Sequence, residues 1–312
     1  MDTNKTEKKT SIGGQALIEG IMMRGPHKSS MTLRLPNGET ETEIWDTFKD
    51  GKKPTAQKIP FVRGIFNLFD TLSTGFKCLT KSAEKSGVEE EEPNKFEKWI
   101  SAKLKIKVSD FINFIAIIFG VLLASLLFIV IPTAVTAPLK KVTDNHFLIT
   151  LVEGIVKIVI FLLYLFACTK NKDVARVFEY HGAEHKTIAC YEAGEELTPE
   201  NAKKYTRFHP RCGTSFILIV LVISIFVTSF VPTLNPFLRM LIKLLLLPLI
   251  VGISYECIKL MGRYSNPVTR FFAAPGLWMQ RLTTREPDLE QLAVAIEAMK
   301  AVIPEDENDD NY

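Results

Sequence analysis

The apolar positions of this chain gather after residue 108, in four long runs divided by short polar stretches and one long polar island. Phe111 to Ile131 contains no charged residue and is rich in Phe, Ile, Leu and Val, which predicts a helix able to cross a bilayer. The second run, His146 to Thr169, carries Glu153 and Lys157. Their i, i+4 spacing allows an ion pair within one helix, which lowers the cost of burying either charge. Thr214 to Val231 and Phe237 to Ile258 predict a third and a fourth span, the last kinked at Pro248 and Gly252. The expected fold is therefore a mainly α membrane protein, a four-helix transmembrane bundle over 109–260.

Other periods govern the first hundred residues. Met31 to Leu35 and Glu39 to Trp45 flank Asn37-Gly38, a dipeptide that tolerates positive φ at both turn positions, so a small N-terminal β element is expected within 1–60. Over Phe61 to Leu79, Val62, Ile65, Phe66, Phe69, Leu72, Phe76 and Leu79 recur on one helical face, while Arg63, Asp70 and Lys77 argue against a span. This amphipathic helix either lies on the membrane surface, the preferred reading, or packs on the β element. The acidic stretch Gly87 to Asn94 reads as a linker within 61–108. In 261–312, Leu289, Leu292, Ala293, Ile296, Met299 and Ile303 trace another amphipathic helix, with Pro287 in its opening turn. The acidic end, Glu305 to Tyr312, is expected to fray.

Charge orients the spans. Lysines and arginines crowd before the first span, between the second and third, and after the fourth, whereas the opposite side has Lys140, Lys141 and Arg239. Both termini, the amphipathic helices and the polar loop 170–213 should therefore face the cytoplasm. A net charge of +3 over 312 residues, with the basic residues beside apolar runs, points to the lipid bilayer as partner and away from nucleic acid. Gly13, Gly14 and Gly20 match neither nucleotide-loop spacing, so no nucleotide is expected. Five scattered cysteines with no Cys-x-x-Cys pair predict reduced thiols. The polar opening, Met1 to Thr10, predicts no signal peptide.

The polar island holds the candidate chemistry. His181 and His185 stand four residues apart with Glu184 between them, and on a helix both imidazoles point to one side, where they can share a metal ion. His209 and Cys212 follow, so three of the five histidines fall within this loop. The order His-x-x-Glu-His resembles the inverzincin pattern, in which the histidines bind zinc, the glutamate is the general base and a later glutamate completes the ligands. By that analogy His181 and His185 are ligands, Glu184 the base and Glu256 the third ligand. A rival set is His181, His185, His209 and Cys212, a closed tetrahedron that would make a structural site. The expected ion is divalent, zinc first. An ordinary surface role suits a lone histidine better than this grouping. Glu192 could ligate or orient a histidine, as could Glu256. His27 and His146 fall outside the site.

Five stretches carry a resemblance: Gly13 to Gly25, Tyr180 to Lys186, His209 to Ser215, Ser254-Tyr255-Glu256 and Leu282 to Pro287. Across nearly the whole chain they resemble the bacterial YqhQ family, multi-pass membrane proteins described as predicted metal-dependent enzymes. The resemblance implies a bacterial inner-membrane protein and supplies no substrate. Two function classes follow. One is a metal-dependent hydrolase working at the cytoplasmic face on a peptide or lipid-linked substrate, with Glu184 or Glu256 activating water. The other is a non-enzymatic scaffold, an assembly or insertion factor whose structural metal fixes a docking surface for a membrane protein partner. A transporter fits less well, since one span alone carries a charge pair and no internal repeat is evident.

Overall fold

The computed structural model of the chain describes residues 9–48, 54–87, 108–231, 236–264 and 266–310. Strands β1 (Gly13–Leu17), β2 (Gly20–Arg24), β3 (Lys28–Arg34) and β4 (Thr40–Asp46) form an antiparallel meander in that order. Among the described residues, the α-helices are α1 (Val62–Lys85), α2 (Val108–Ser125), α3 (Ile131–Thr136), α4 (His146–Cys168) and α5 (Lys172–Glu192). They continue with α6 (Pro199–Lys203), α7 (Gly213–Ser229), α8 (Pro236–Arg263), α9 (Pro267–Thr283) and α10 (Leu289–Lys300). The acidic linker beyond Gly87 and the lysines at 98–107 lie outside the described residues.

The expected hairpin joins β3 to β4, with Gly38 at φ +87°, a conformation that a side chain would strain. Register divides the sheet between two buried faces, because Met22 pairs with Met31 while Met23 pairs with Gly14. Leu17, Met22, Met31 and Leu33 pack with Cys78 of α1. Ile21 and Met23 pack instead with Tyr180, Ala183 and Ile188 of α5 and with Leu292, Ala295 and Met299 of α10. The segments divided by the sequence pattern at 60, 170–213 and 261 thus share one core. The polar island is mostly helix α5, whose start is capped by Asn171 accepting from the Asp173 amide at 2.8 Å. The acidic end does not fray throughout: Asp310 is buried, taking the Thr10 hydroxyl at 2.5 Å and the Ser11 amide at 2.9 Å.

Among the described residues, three helical stretches are long and apolar enough to cross a membrane: Phe114–Thr136, His146–Cys168 and Leu241–Arg263. The first runs from α2 into α3 through a π turn at Leu126–Val130, a wider turn that accommodates Pro132 and its missing N–H. The third expected run is α7, apolar but 17 residues long, so three helices of full length stand among the described residues where four runs were expected. It packs against α4, α8 and α9, with Gly154 of α4 letting Ile225 approach. Glu153 and Lys157 form the expected intrahelical pair at 2.7 Å, and Lys243 of α8 adds a contact at 3.5 Å.

Helix α1 packs on both the β element and α8. Its small residues face protein: Gly64 meets Tyr255 of α8, and Gly75 meets Gln15 of β1. Its bulky apolar face stays exposed, Phe69 at 75% and Phe76 at 61%. The helix start is unusual, for Phe61 sits at φ 65°, costly for a bulky residue.

Where α5 crosses the segment before α10, Gly182 leaves room for the Arg285 carbonyl, only 2.0 Å from where a Cβ would lie. Helix propensity alone would make Gly182→Ala stabilising by about 1 kcal/mol. The contact reverses the sign, with an expected loss on the order of 1–3 kcal/mol. A lowered unfolding temperature of the detergent-solubilised variant is the readout; a raised one would mean the segment is not packed there.

Candidate metal centre

Helix α5 places His181, Glu184 and His185 on one face by their i, i+3 and i+4 spacing. Their surroundings decide what the rings can do. His181 Nδ1 lies 2.8 Å from the Thr283 carbonyl, and His185 Nδ1 lies 2.6 Å from the Arg207 carbonyl. A carbonyl only accepts, so each Nδ1 carries a hydrogen and each neutral ring keeps a lone pair on Nε2. The two rings sit 4.5 Å apart, and His181 Nε2 is 3.2 Å from Cys212 Sγ. The ligand atoms of His181, His185 and Cys212 all fall within 4.8 Å of one another. Cys212 is the N-cap of α7, where its sulfur accepts from the Thr214 amide at 3.4 Å. A helix N-terminus favours thiolate.

Electrostatics agree with that geometry. Burial pushes the Cys212 thiol up, but His181 and His185 outweigh it and hold the group well below the ordinary thiol range. Burial likewise favours neutral His181, yet the facing thiolate prevails and lifts it to about 9. Charge therefore sits on sulfur and a proton between sulfur and ring. A divalent cation in the place of that proton would find one thiolate and two imidazole lone pairs, a donor set suited to zinc. The residues fit the ion.

Glu184 is buried beside this trio and its Oε1 accepts the Gly14 amide at 3.1 Å. Burial raises its pKa, against the opposing pull of His181 and His185. Gly14 is required for this approach, since a Cβ there would stand 3.0 Å from the Glu184 carboxyl carbon and 2.8 Å from the Met22 carbonyl. Gly14 of β1 thus serves the centre from the opposite side of the core.

His209 stands next to the trio without completing it. Its ring centroid is 5.5 Å from that of His185, but its Nε2 accepts from Arg211 at 3.2 Å and lies 3.6 Å from Glu192. Gln280 clamps its backbone, accepting from the His209 amide at 2.8 Å and donating to its carbonyl at 2.7 Å. Burial pushes the His209 ring toward neutrality, with Glu192 opposing. Glu192 thus lies beside the His209 ring while pairing with Arg211. Burial raises the Glu192 carboxyl, but His209 and Arg211 together hold it below the usual range.

Glu256 corrects the inverzincin analogy. Its carboxylate accepts from Arg63 Nε at 2.8 Å and from the Phe61 amide at 3.0 Å, so it secures the strained start of α1 and is not brought to the histidines. The backbone carbonyls of Arg207 and Thr283, and Gly14 and Gln280, complete the surroundings. Carbonyl acceptors carry no signature in side-chain identity; the only pointer to Gly14 and Thr283 was their place in the motif stretches.

Elemental analysis of purified protein should find stoichiometric zinc in the wild type and little in His185→Ala or Cys212→Ser. Retention should fall with falling pH, because protons compete for the same sulfur and nitrogens. Glu256→Gln should keep its zinc while unfolding at lower temperature, since Arg63 loses its charged partner. Zinc lost from Glu256→Gln alone would restore the inverzincin arrangement.

A family model described as "Protein of unknown function (DUF1385)" matches residues 59–305. The chain is also 32% identical over 302 residues to the uncharacterised protein YqhQ of Bacillus subtilis (strain 168), covering 96% of this chain and 94% of that protein. No solved structure matches. The motif stretches at 180–186, 209–215, 254–256 and 282–287 all lie inside the family match, and three of the four meet at the centre described above. With a family match over most of its length and a relative aligned across nearly all of it, the chain belongs to the YqhQ-like DUF1385 family.

Proposed function

We propose that this chain is a zinc-dependent hydrolase of the bacterial inner membrane, with its site at the cytoplasmic face. In this reading α7 is the fourth span, its 17 residues being near the lower limit for crossing, and three neighbouring helices pack against it. Both termini and α5 then lie in the cytoplasm, as the distribution of lysine and arginine favours.

One observation carries the catalytic reading: His181, His185 and Cys212 gather as three donors while His209 is held aside by Arg211 and Glu192. Three protein ligands with a position left open are the pattern of catalytic zinc, whereas structural sites are closed by four. Zinc in such a site supplies Lewis acidity toward a carbonyl or phosphoryl oxygen and acidifies water. The chain's own groups do the rest. The carbonyls of Thr283 and Arg207 orient the two imidazoles. Gly14 holds Glu184 Oε1, so Oε2 is the atom that takes and returns a proton. Burial raises the affinity of that carboxylate for a proton, which suits a group working near neutral pH.

A second reading rests on burial. His185 and Cys212 are 1% and 5% exposed, and a metal there would pin α5 to α7 as a purely structural clamp, presenting a surface to a membrane protein partner. Glu184→Gln separates the two. Wild-type protein in nanodiscs, incubated with lipid and peptide extracts of inner membrane, should yield products that have gained one water, read by mass spectrometry. The variant should lose about 100-fold or more of that activity with zinc and unfolding temperature unchanged. Equal product formation by both proteins would remove Glu184 from catalysis and favour the clamp.

A further inference from the structure

Two polar stripes meet inside the apolar helix cluster. On α4, Thr150, Glu153 and Lys157 recur at i, i+3 and i+7, and on α7 Ser224 and Thr228 stand four apart, so each set occupies one helical face. Together with Lys243 of α8 they line a cavity of about 20 Å³. One water needs about 10–15 Å³ of such space, so the cavity admits a water or a small ion and nothing as large as a phosphate. Gly154 brings the stripes together, since a Cβ there would lie 2.3 Å from Ile225. Ser224 is about 18 Å along α7 from Cys212, which makes this place separate from the metal centre.

The cavity is rich in donors and short of acceptors. Thr150 is 3% exposed and its hydroxyl oxygen has no hydrogen-bond partner. Lys157 Nζ gives one N–H to Glu153 Oε1 at 2.7 Å and makes no other hydrogen bond among the described residues. The Ser224 hydroxyl makes none among them. Thr228 is already committed, donating to the Ser224 carbonyl at 2.7 Å. Leaving buried donors without an acceptor is costly, so the space between them calls for one.

Charge decides what kind of acceptor fits. Lys243 reaches the same Glu153 oxygen at 3.5 Å, so two ammonium groups share one carboxylate. Within the four apolar runs the only carboxylates in the sequence are Glu153 and Glu256. Glu256 is about 20 Å along α8 from Lys243 and is bound to Arg63. Further contacts of Lys243 or Glu153 within the spans therefore bring no second carboxylate. An excess positive charge among apolar helices is expensive, and a bound anion offsets it where a water would not.

We propose that this cavity binds a small monovalent anion of the size of chloride, held by the ammonium groups of Lys157 and Lys243 and by the hydroxyls of Thr150 and Ser224. Such an ion would fasten α4, α7 and α8 to one another through a shared polar contact. The site does not depend on the hydrolase reading.

The test is the unfolding temperature of the full chain in uncharged detergent, followed as chloride replaces gluconate at fixed ionic strength. The wild type should show a saturable rise with chloride, which yields an apparent affinity. Thr150→Val keeps shape and charge and should weaken that affinity about tenfold. Lys157→Met leaves Glu153 and Lys243 as a balanced pair, so the variant should fold and lose the chloride dependence. A wild type indifferent to chloride would sink the proposal and make the cavity a water site. A chloride response that persists in Lys157→Met would overturn it as well, by placing the ion elsewhere. Should that variant not fold, an unchanged affinity in Thr150→Val has the same force.

Discussion

The structure is organised by the burial of a polar helix. From Tyr180 to Cys190, helix α5 is enclosed almost completely although it carries His181, Glu184, His185 and Lys186. Each such group costs several kcal/mol if left without partners in an apolar core, on the order of 2–7 kcal/mol for a neutral one. The surrounding segments supply those partners. Lys186 donates to the carbonyls of Lys203 and Tyr205 at 3.0 and 2.7 Å and pairs with Glu286 at 2.9 Å. The histidines take the carbonyls of Arg207 and Thr283, and Glu184 takes the Gly14 amide. Three distant parts of the chain, near residues 14, 205 and 284, are thereby tied to one helix.

The same ties connect the α/β core to the apolar helices. Cys212 is both a candidate ligand and the cap of α7, so whatever fixes its sulfur also fixes where that helix begins. Gln280 of α9 bridges His209 to Ser215 of α7, reaching the latter at 3.1 Å. Gly276 permits the approach, because a Cβ there would collide with Ser215. Deeper in the helix cluster, Glu153 is held between Lys157 and Lys243, so the carboxylate buried among apolar residues is compensated locally and does not depend on the centre.

Much of this was legible along the chain. Asn37-Gly38 foretold its hairpin, the apolar runs foretold helices, and the spacing of His181, Glu184 and His185 put them on a common face. Each of these signals is local: a turn dipeptide, a period, or an i, i+4 relation. Less legible are residues whose surroundings are set by side chains and backbone that the spacing of the motif does not show. Glu256 has the chemistry of a ligand, yet Arg63 and the strained Phe61 backbone claim it. His209 belongs to a plausible four-ligand set, yet Arg211, two residues on, turns its ring nitrogen aside. Helix α1 shows one amphipathic period but two functional faces, since small residues at Gly64 and Gly75 make close contacts that a hydrophobicity pattern does not register.

Sequence by itself determined the periodic elements, the polar island among apolar runs, and the donor types gathered there. Those follow from backbone geometry and side-chain chemistry, which act over a few residues. Tertiary structure alone decided which donors meet, which tautomer each histidine adopts and which carboxylate stands beside them. The reason is physical: backbone carbonyls and amides contributed by remote segments set those choices, and every residue type offers the same carbonyl.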